Sequence, residues 1–210
     1  LSYGNQSNPN HNAKTSYVAL GRMQTAVVIF LTQPGPRMIW QFGELGYDYG
    51  INYCINGTYN NSCRTGRKPV KWEYYEDAGR KSIFNIYAKL NSLKQTYPKT
   101  FNTNYAQVTT SVAVKRINLY ENEDKSAEGL NAVVLGNFDL KEALINPNFP
   151  HAGTWYDFFT GESIEVTNLT ERLNFAAGEY RLYLNKQEPV LLLSTNEISN
   201  PTNSKILSVY

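Results

Sequence analysis

The chain has 210 residues, 41% hydrophobic and 18% charged, and its 20 Lys and Arg against 18 Asp and Glu leave a net charge of +2. So even and interspersed a balance excludes a nucleic-acid grip or a polybasic membrane surface, and no apolar run approaches the roughly 20 residues that a bilayer span needs. The length allows one or two domains, and 16 Tyr within an aromatic share of 13% suit both sheet packing and sugar platforms, because the Tyr ring is flat and apolar with a polar tip.

Residues 1–14 read as a polar loop without the apolar core of a signal peptide, as expected of a fragment as much as of a natural start. His11 lies there without a partner in view. Thr15 or Ser16 is a fair N-cap, and Val18, Leu20, Met23, Val27 and Phe30 then recur at helical spacing until Pro34. Pro34-Gly35-Pro36 is a turn that no regular element crosses. Arg37–Phe42 (RMIWQF) has the length and the apolar, aromatic character of one strand buried on both faces, and Gly43-Glu44-Leu45-Gly46 ends it.

From Gly43 to Lys71 there is no periodicity, which in a compact domain usually marks a functional loop. It holds Tyr47-Asp48-Tyr49, the basic run Arg64–Lys68, and both cysteines. Cys54 and Cys63 bracket a turn-forming segment and read as a local disulfide, hence an oxidising compartment, rather than as two free thiols. No second Cys or His pair is near enough in sequence to complete a zinc site. Asp77 is placed to cap a second helix, whose apolar positions Ile83, Ile86, Tyr87, Leu90, Leu93 and Tyr97 make the clearest amphipathic pattern in the chain; it stops at Pro98.

Beyond Pro98 the period falls to two. Val108, Val112, Val114 and Ile117 lie in an alternating stretch up to Tyr120. Ala132–Phe138, Gly153–Phe159, Ser163–Val166, Leu173–Phe175, Tyr180–Leu184 and Val190–Leu193 follow, with turn signals between them. Many short strands so punctuated predict an antiparallel sandwich. The expected fold class is therefore α+β, with residues 1–104 and 105–195 as two domains and 196–210 as a tail or edge strand.

The stretch PGPRMIWQFGELGYDYGIN, followed by RTGRKPVKWEYY, resembles the last barrel strand and following loop of the α-amylase family of glycoside hydrolases (family 13), in a secreted bacterial variant. GNFD, GTWYDFFTGE and AAGEYRLYL resemble the β-sandwich that follows the catalytic barrel in that family. The resemblance implies that residues 1–104 are the end of a (β/α)8 barrel (helix seven, strand eight, helix eight) and that the partner is an α-glucan such as starch. It also implies a secreted or cell-surface bacterial location.

In that family the nucleophilic Asp, the acid Glu and a third Asp lie on or after barrel strands four, five and seven. All three positions precede Leu1, so the resemblance places no catalytic residue in this chain and implies that it is inactive alone. Gly43, Glu44 and Gly46 match a structural motif at the barrel end, and Glu44 is expected to tie loop N–H groups. The candidate substrate contacts are Tyr47, Asp48 and Tyr49. No cofactor is expected, although calcium in the parent enzyme would have Asp48, Asn52 and Asn56 as oxygen donors. Two other readings stay open: a carbohydrate-binding module with Trp155 or Tyr156 as platform, and a purely structural domain. Strand 37–42 lacks partners within this chain. It is expected to pair with the rest of a barrel or another copy, or to pack irregularly.

Overall fold

The computed structural model describes residues 11–110 and 113–189. Helix α1 (Ser16–Thr32) and helix α2 (Ala78–Thr96) pack side by side, with Gln24 donating to Ser82 Oγ at 2.8 Å and Lys94 to the Leu31 carbonyl at 2.9 Å. α2 begins as its sequence requires: Asp77 accepts from the Arg80 N–H at 2.8 Å, which satisfies one orphan donor of the first turn. A short helix α3 (Pro98–Phe101) then leads into the strands.

Six strands form one antiparallel sheet in the order β1 (Ala106–Thr110), β2 (Val114–Tyr120), β3 (Asn131–Asn137), β8 (Tyr180–Leu184), β5 (Gly153–Asp157), β6 (Ser163–Val166). The remaining two, β4 (Ala143–Ile145) and β7 (Leu173–Phe175), pair with each other. Alternation sorts β3 between two cores. Ala132 and Val134 face the helices with Ile117, Leu119, Leu182 and Leu184. Val133 and Leu135 face the β4–β7 ribbon with Phe149, Trp155, Phe175 and Tyr183. Burial on both faces is why β3 reads as a continuous apolar run instead of an alternating one.

α1 approaches the sheet closely at Gly136, where a Cβ would meet Thr25 Cγ2 at 3.1 Å and Ile29 Cγ1 at 3.3 Å. Thr25 also donates to the Gly178 carbonyl, and Arg22 reaches the carbonyls of Phe138 and Asp139. α1 therefore buries more than a stripe: α2 lies along one side and the sheet along another, while Phe30, expected inside, is 37% exposed.

The buried strand expected at 37–42 is not formed. Residues 36–40 adopt no regular structure and are unpaired, with Met38 88% and Trp40 54% exposed, and only Phe42 turns inward. All strand pairs among the described residues are antiparallel and lie beyond residue 105, apart from a single bridge, Tyr53 to Tyr59. A segment without lateral partners cannot complete a ladder. It is held instead by Arg37, which folds back onto the carbonyls of Phe30, Pro34 and Pro36 and caps the C-terminal end of α1. The stretch up to Tyr120 is a hairpin of β1 and β2, so Val108 falls on an exposed edge and Val112 lies outside the described residues. Val190–Leu193 and the tail 196–210 lie outside them too. β4 had no counterpart in the sequence reading.

Candidate functional site

The loop from Phe42 to Asp77 is irregular but tightly tied. Phe42 (φ 54°) and Gly46 (φ 65°) are left-handed, and between them Gly43–Leu45 makes one 3-10 turn. Gly46 is required twice over, since a Cβ there would lie 2.8 Å from Leu20 Cδ2. The turn's N–H groups go to backbone carbonyls: Gly43 to Trp40, Leu45 and Tyr47 to Phe42, and Gly46 to Gly43. Glu44 is not needed for them. It sits close enough to Tyr87 for its charge to add to the effect of burial in raising that phenol's pKa.

The clamp is Arg80. Its guanidinium donates to the carbonyls of Leu45 (3.0 Å) and Gly46 (2.5 Å), pairs with Asp48 Oδ2 at 2.9 Å, and lies 3.8 Å over the Tyr74 ring. Tyr74 donates its hydroxyl to Asp48 Oδ1. Burial alone would push the Asp48 carboxyl up; the hydrogen bonds from Tyr74 and Arg80, with Arg80's charge, outweigh it and hold the group below the usual carboxylate range. Tyr74 is driven up by burial and by the same Asp48. A basic residue in the first turn of a helix opposes the helix dipole. That local misfit was the one sequence signal pointing to Arg80 as a tertiary clamp.

Farther along, Cys54 and Cys63 form the expected disulfide, with Cα atoms 5.2 Å apart. Its loop is filled by Lys68, only 4% exposed, whose ammonium donates to the carbonyls of Ile51, Tyr53 and Cys63 at 2.5, 2.9 and 2.5 Å. In sequence Lys68 belongs to a basic run; three inward carbonyls give it a buried structural role. Asn52 donates to Asn61 Oδ1, and Asn56 accepts from the N–H and hydroxyl of Thr58. Asp48 is held by Arg80 and Tyr74, whereas the Asn52 Oδ1 is buried without a hydrogen-bond partner. Among the described residues no group of three or more His, Cys, Asp or Glu is placed to hold a metal.

Tyr47 and Tyr49 belong to a row of rings: Phe42, Tyr47, Tyr49, Tyr53 and Tyr59, with successive centroids 6.0, 5.3, 4.5 and 5.2 Å apart. Trp72 meets Phe42 edge-on at 4.9 Å and is 74% exposed, and Tyr59 is 70% exposed. The Tyr47 hydroxyl is committed to the Pro69 carbonyl at 2.7 Å, and Lys71 lies 5.5 Å over the Tyr49 ring. The three predicted contacts are thus brought together in unequal states: Asp48 has both oxygens engaged, whereas the tyrosines join a fixed aromatic surface. Tyr53, Tyr59 and Trp72 extend that surface and were not singled out from sequence. Trp155 is fully buried against Phe149 and His151, so it offers no platform; its neighbour Tyr156 is half-buried.

No family model matches the sequence, and no curated protein matches it. The fold does match solved structures. It is similar to AmyP in complex with maltose, at 10% identity and a TM-score of 0.61 over 84% of this chain and 36% of that one. An Anoxybacillus alpha-amylase matches at 11% identity and a TM-score of 0.57 over 79% of this chain and 32% of that one. Pullulanase type I from Bacillus subtilis, complexed with maltose, matches at 15% identity and a TM-score of 0.55 over 81% of this chain and 24% of that one. The chain thus spans between about a quarter and a little over a third of the length of these structures.

Proposed function

We propose that this chain is the C-terminal part of an α-amylase-like α-glucan hydrolase from a secreted bacterial protein. It would comprise the last helices of a barrel and the sheet domain that follows, and would be inactive by itself. The observation that carries the reading is the segment 36–40. It has the composition of a core strand, lies in sequence between two helices packed side by side, and exposes Met38, Ile39 and Trp40 to solvent. Exposed apolar residues clustered in an unpaired segment mark a missing neighbour. In this reading the missing neighbours are flanking barrel strands. The disulfide supports an oxidising location, and no helix among the described residues is long and apolar enough to cross a membrane.

The state of the loop's carboxylates supports the inactive reading. Retaining glycoside hydrolysis needs two of them about 5 Å apart, one with a raised pKa to act as acid. In the loop, Asp48 is shifted down and spends both oxygens on Tyr74 and Arg80, and Glu73 is shifted down by Lys71 and exposed. What the loop supplies is binding surface. Tyr47 and Tyr49 present aromatic faces on which a glucose ring stacks, and Asp48 keeps them in register through Arg80.

Two measurements on the full chain test this. Starch hydrolysis should not exceed background; turnover far above it ends the proposal. Maltoheptaose titrated into the chain should perturb the amides of residues 47–53, and Tyr49→Ala should abolish the effect. Perturbation that persists in Tyr49→Ala would remove the loop as the glucan site, and none in the parent chain would leave only a structural role for these residues.

A further inference from the structure

Away from the tyrosine loop, β5 and β8 pair only at Tyr156–Leu184 and Asp157–Tyr183 and then diverge. The gap is a cleft of about 670 Å³, within the range of small-ligand sites, walled by Phe159, Ile164 and Tyr180 and by the polar groups of Asp157, Glu162 and Tyr183. Asp157 is only 7% exposed. Its Oδ1 accepts from the N–H groups of Phe159 and Thr160 at 2.8 and 3.1 Å, and among the described residues no donor reaches Oδ2. A carboxylate oxygen without a protein donor is free to accept from a group that enters the cleft. Tyr183, its cross-strand neighbour, accepts from Arg181 at 3.2 Å, which leaves its own hydroxyl hydrogen to give. Arg181 is held by Glu179 and by the Asn174 carbonyl, so it positions Tyr183.

The lining selects the ligand class. Asp157, Glu162 and Glu179 against Arg181 make the cleft acidic, which disfavours an anion. A divalent cation would need at least three well-placed oxygen donors, and no such group of acidic side chains occurs among the described residues. A neutral ligand rich in hydroxyls meets both demands: it donates to Asp157 Oδ2 and Glu162, accepts from Tyr183, and lays an apolar face on Phe159 and Tyr180. We propose that this cleft is a second, non-catalytic binding site for a neutral sugar unit, a glucose residue of a short oligosaccharide. The choice of glucose rests on the α-glucan reading; the existence of the site does not.

The test uses the full chain, maltotriose as probe and glucuronate as a charged control, followed by amide shifts. Maltotriose should saturably perturb residues 157–164 and 180–183, in Tyr49→Ala as in the parent, and glucuronate should not. Asp157→Asn keeps the Oδ1 turn contacts but offers an amide at the other position, and should weaken binding about tenfold. Glu162→Gln, at an exposed side chain that makes no side-chain hydrogen bond among the described residues, should weaken it less. No saturable shift at the cleft, equal response to glucuronate, or unchanged affinity in both variants would overturn the site. Signals from residues 47–53 report the loop separately, so failure of one site is distinguishable from failure of the other.

Discussion

Replacing Arg80 with Ala should open the loop without unfolding the domain. The guanidinium is largely buried, with its side chain 12% exposed. Its removal leaves the carbonyls of Leu45 and Gly46 without that donor, at about 1–3 kcal/mol for each one that water fails to reach. The pair with Asp48 adds under about 1 kcal/mol, because that carboxylate's side chain is 55% exposed. The stack on Tyr74 adds about 0.5–1 kcal/mol. Water entering beside Asp48 will rescue part of the carbonyl cost, so a local loss of about 2–3 kcal/mol is expected. Native-state hydrogen exchange reads it directly: the amides of Gly46 and Tyr47, bonded to Gly43 and Phe42, should exchange about 30- to 150-fold faster while those of β3 are unchanged. Arg80→Lys should recover less than half of the loss, since an ammonium lacks the planar fork that reaches both carbonyls and the carboxylate while lying flat on Tyr74. Protection at Gly46 and Tyr47 within about twofold of the parent, or an equal loss in β3, would refute the clamp. Lowering the pH should mimic the mutation through Asp48. Its folded pKa lies below the unfolded 3.8, so its contribution is present above that value and fades as pH falls through the folded one.

Trp155→Ala should cost about 3–5 kcal/mol in urea unfolding, a large share of a domain's stability, because the indole is fully buried and bonded to the His151 carbonyl. A well-folded variant that merely lost starch binding would reinstate Trp155 as a platform. Met38→Ser with Trp40→Ser should shift stability by no more than about 0.5 kcal/mol, since both side chains face solvent; a large loss would show them packed in solution. At high pH the fold should weaken. Tyr97 is pushed up to about 12 by its bond to Glu188 and by burial, and Tyr180 to about 12 by burial and by Asp157. Both sit above the ordinary 10, so their contribution is complete below pH 10 and lost as pH rises toward 12; Tyr97→Phe should reduce that dependence in urea titrations run between those limits.

Local patterns carried the elements whose partners are near in sequence or whose faces are uniform. Asp77 and Pro98 bracket α2 because a cap and a ring act within one turn, and the disulfide closes a short Asn- and Gly-rich turn. The strands after residue 105 follow from their period. Even so, β1 and β2 merged into one stretch, and the three-residue β4 gave too little alternation to be seen.

The sequence by itself determined where helices stop and strands begin, which cysteines pair, and that Tyr47, Asp48 and Tyr49 share one loop. These depend on contacts made within a few residues. Only the tertiary structure decided that Arg37–Phe42 stays unpaired, that Arg80 and Lys68 are struts, that Trp155 is core, and that β5 and β8 part around Asp157. Each of those depends on which groups arrive from 10 to 100 residues away to accept a hydrogen bond or cover a face, and composition and period carry no record of such meetings.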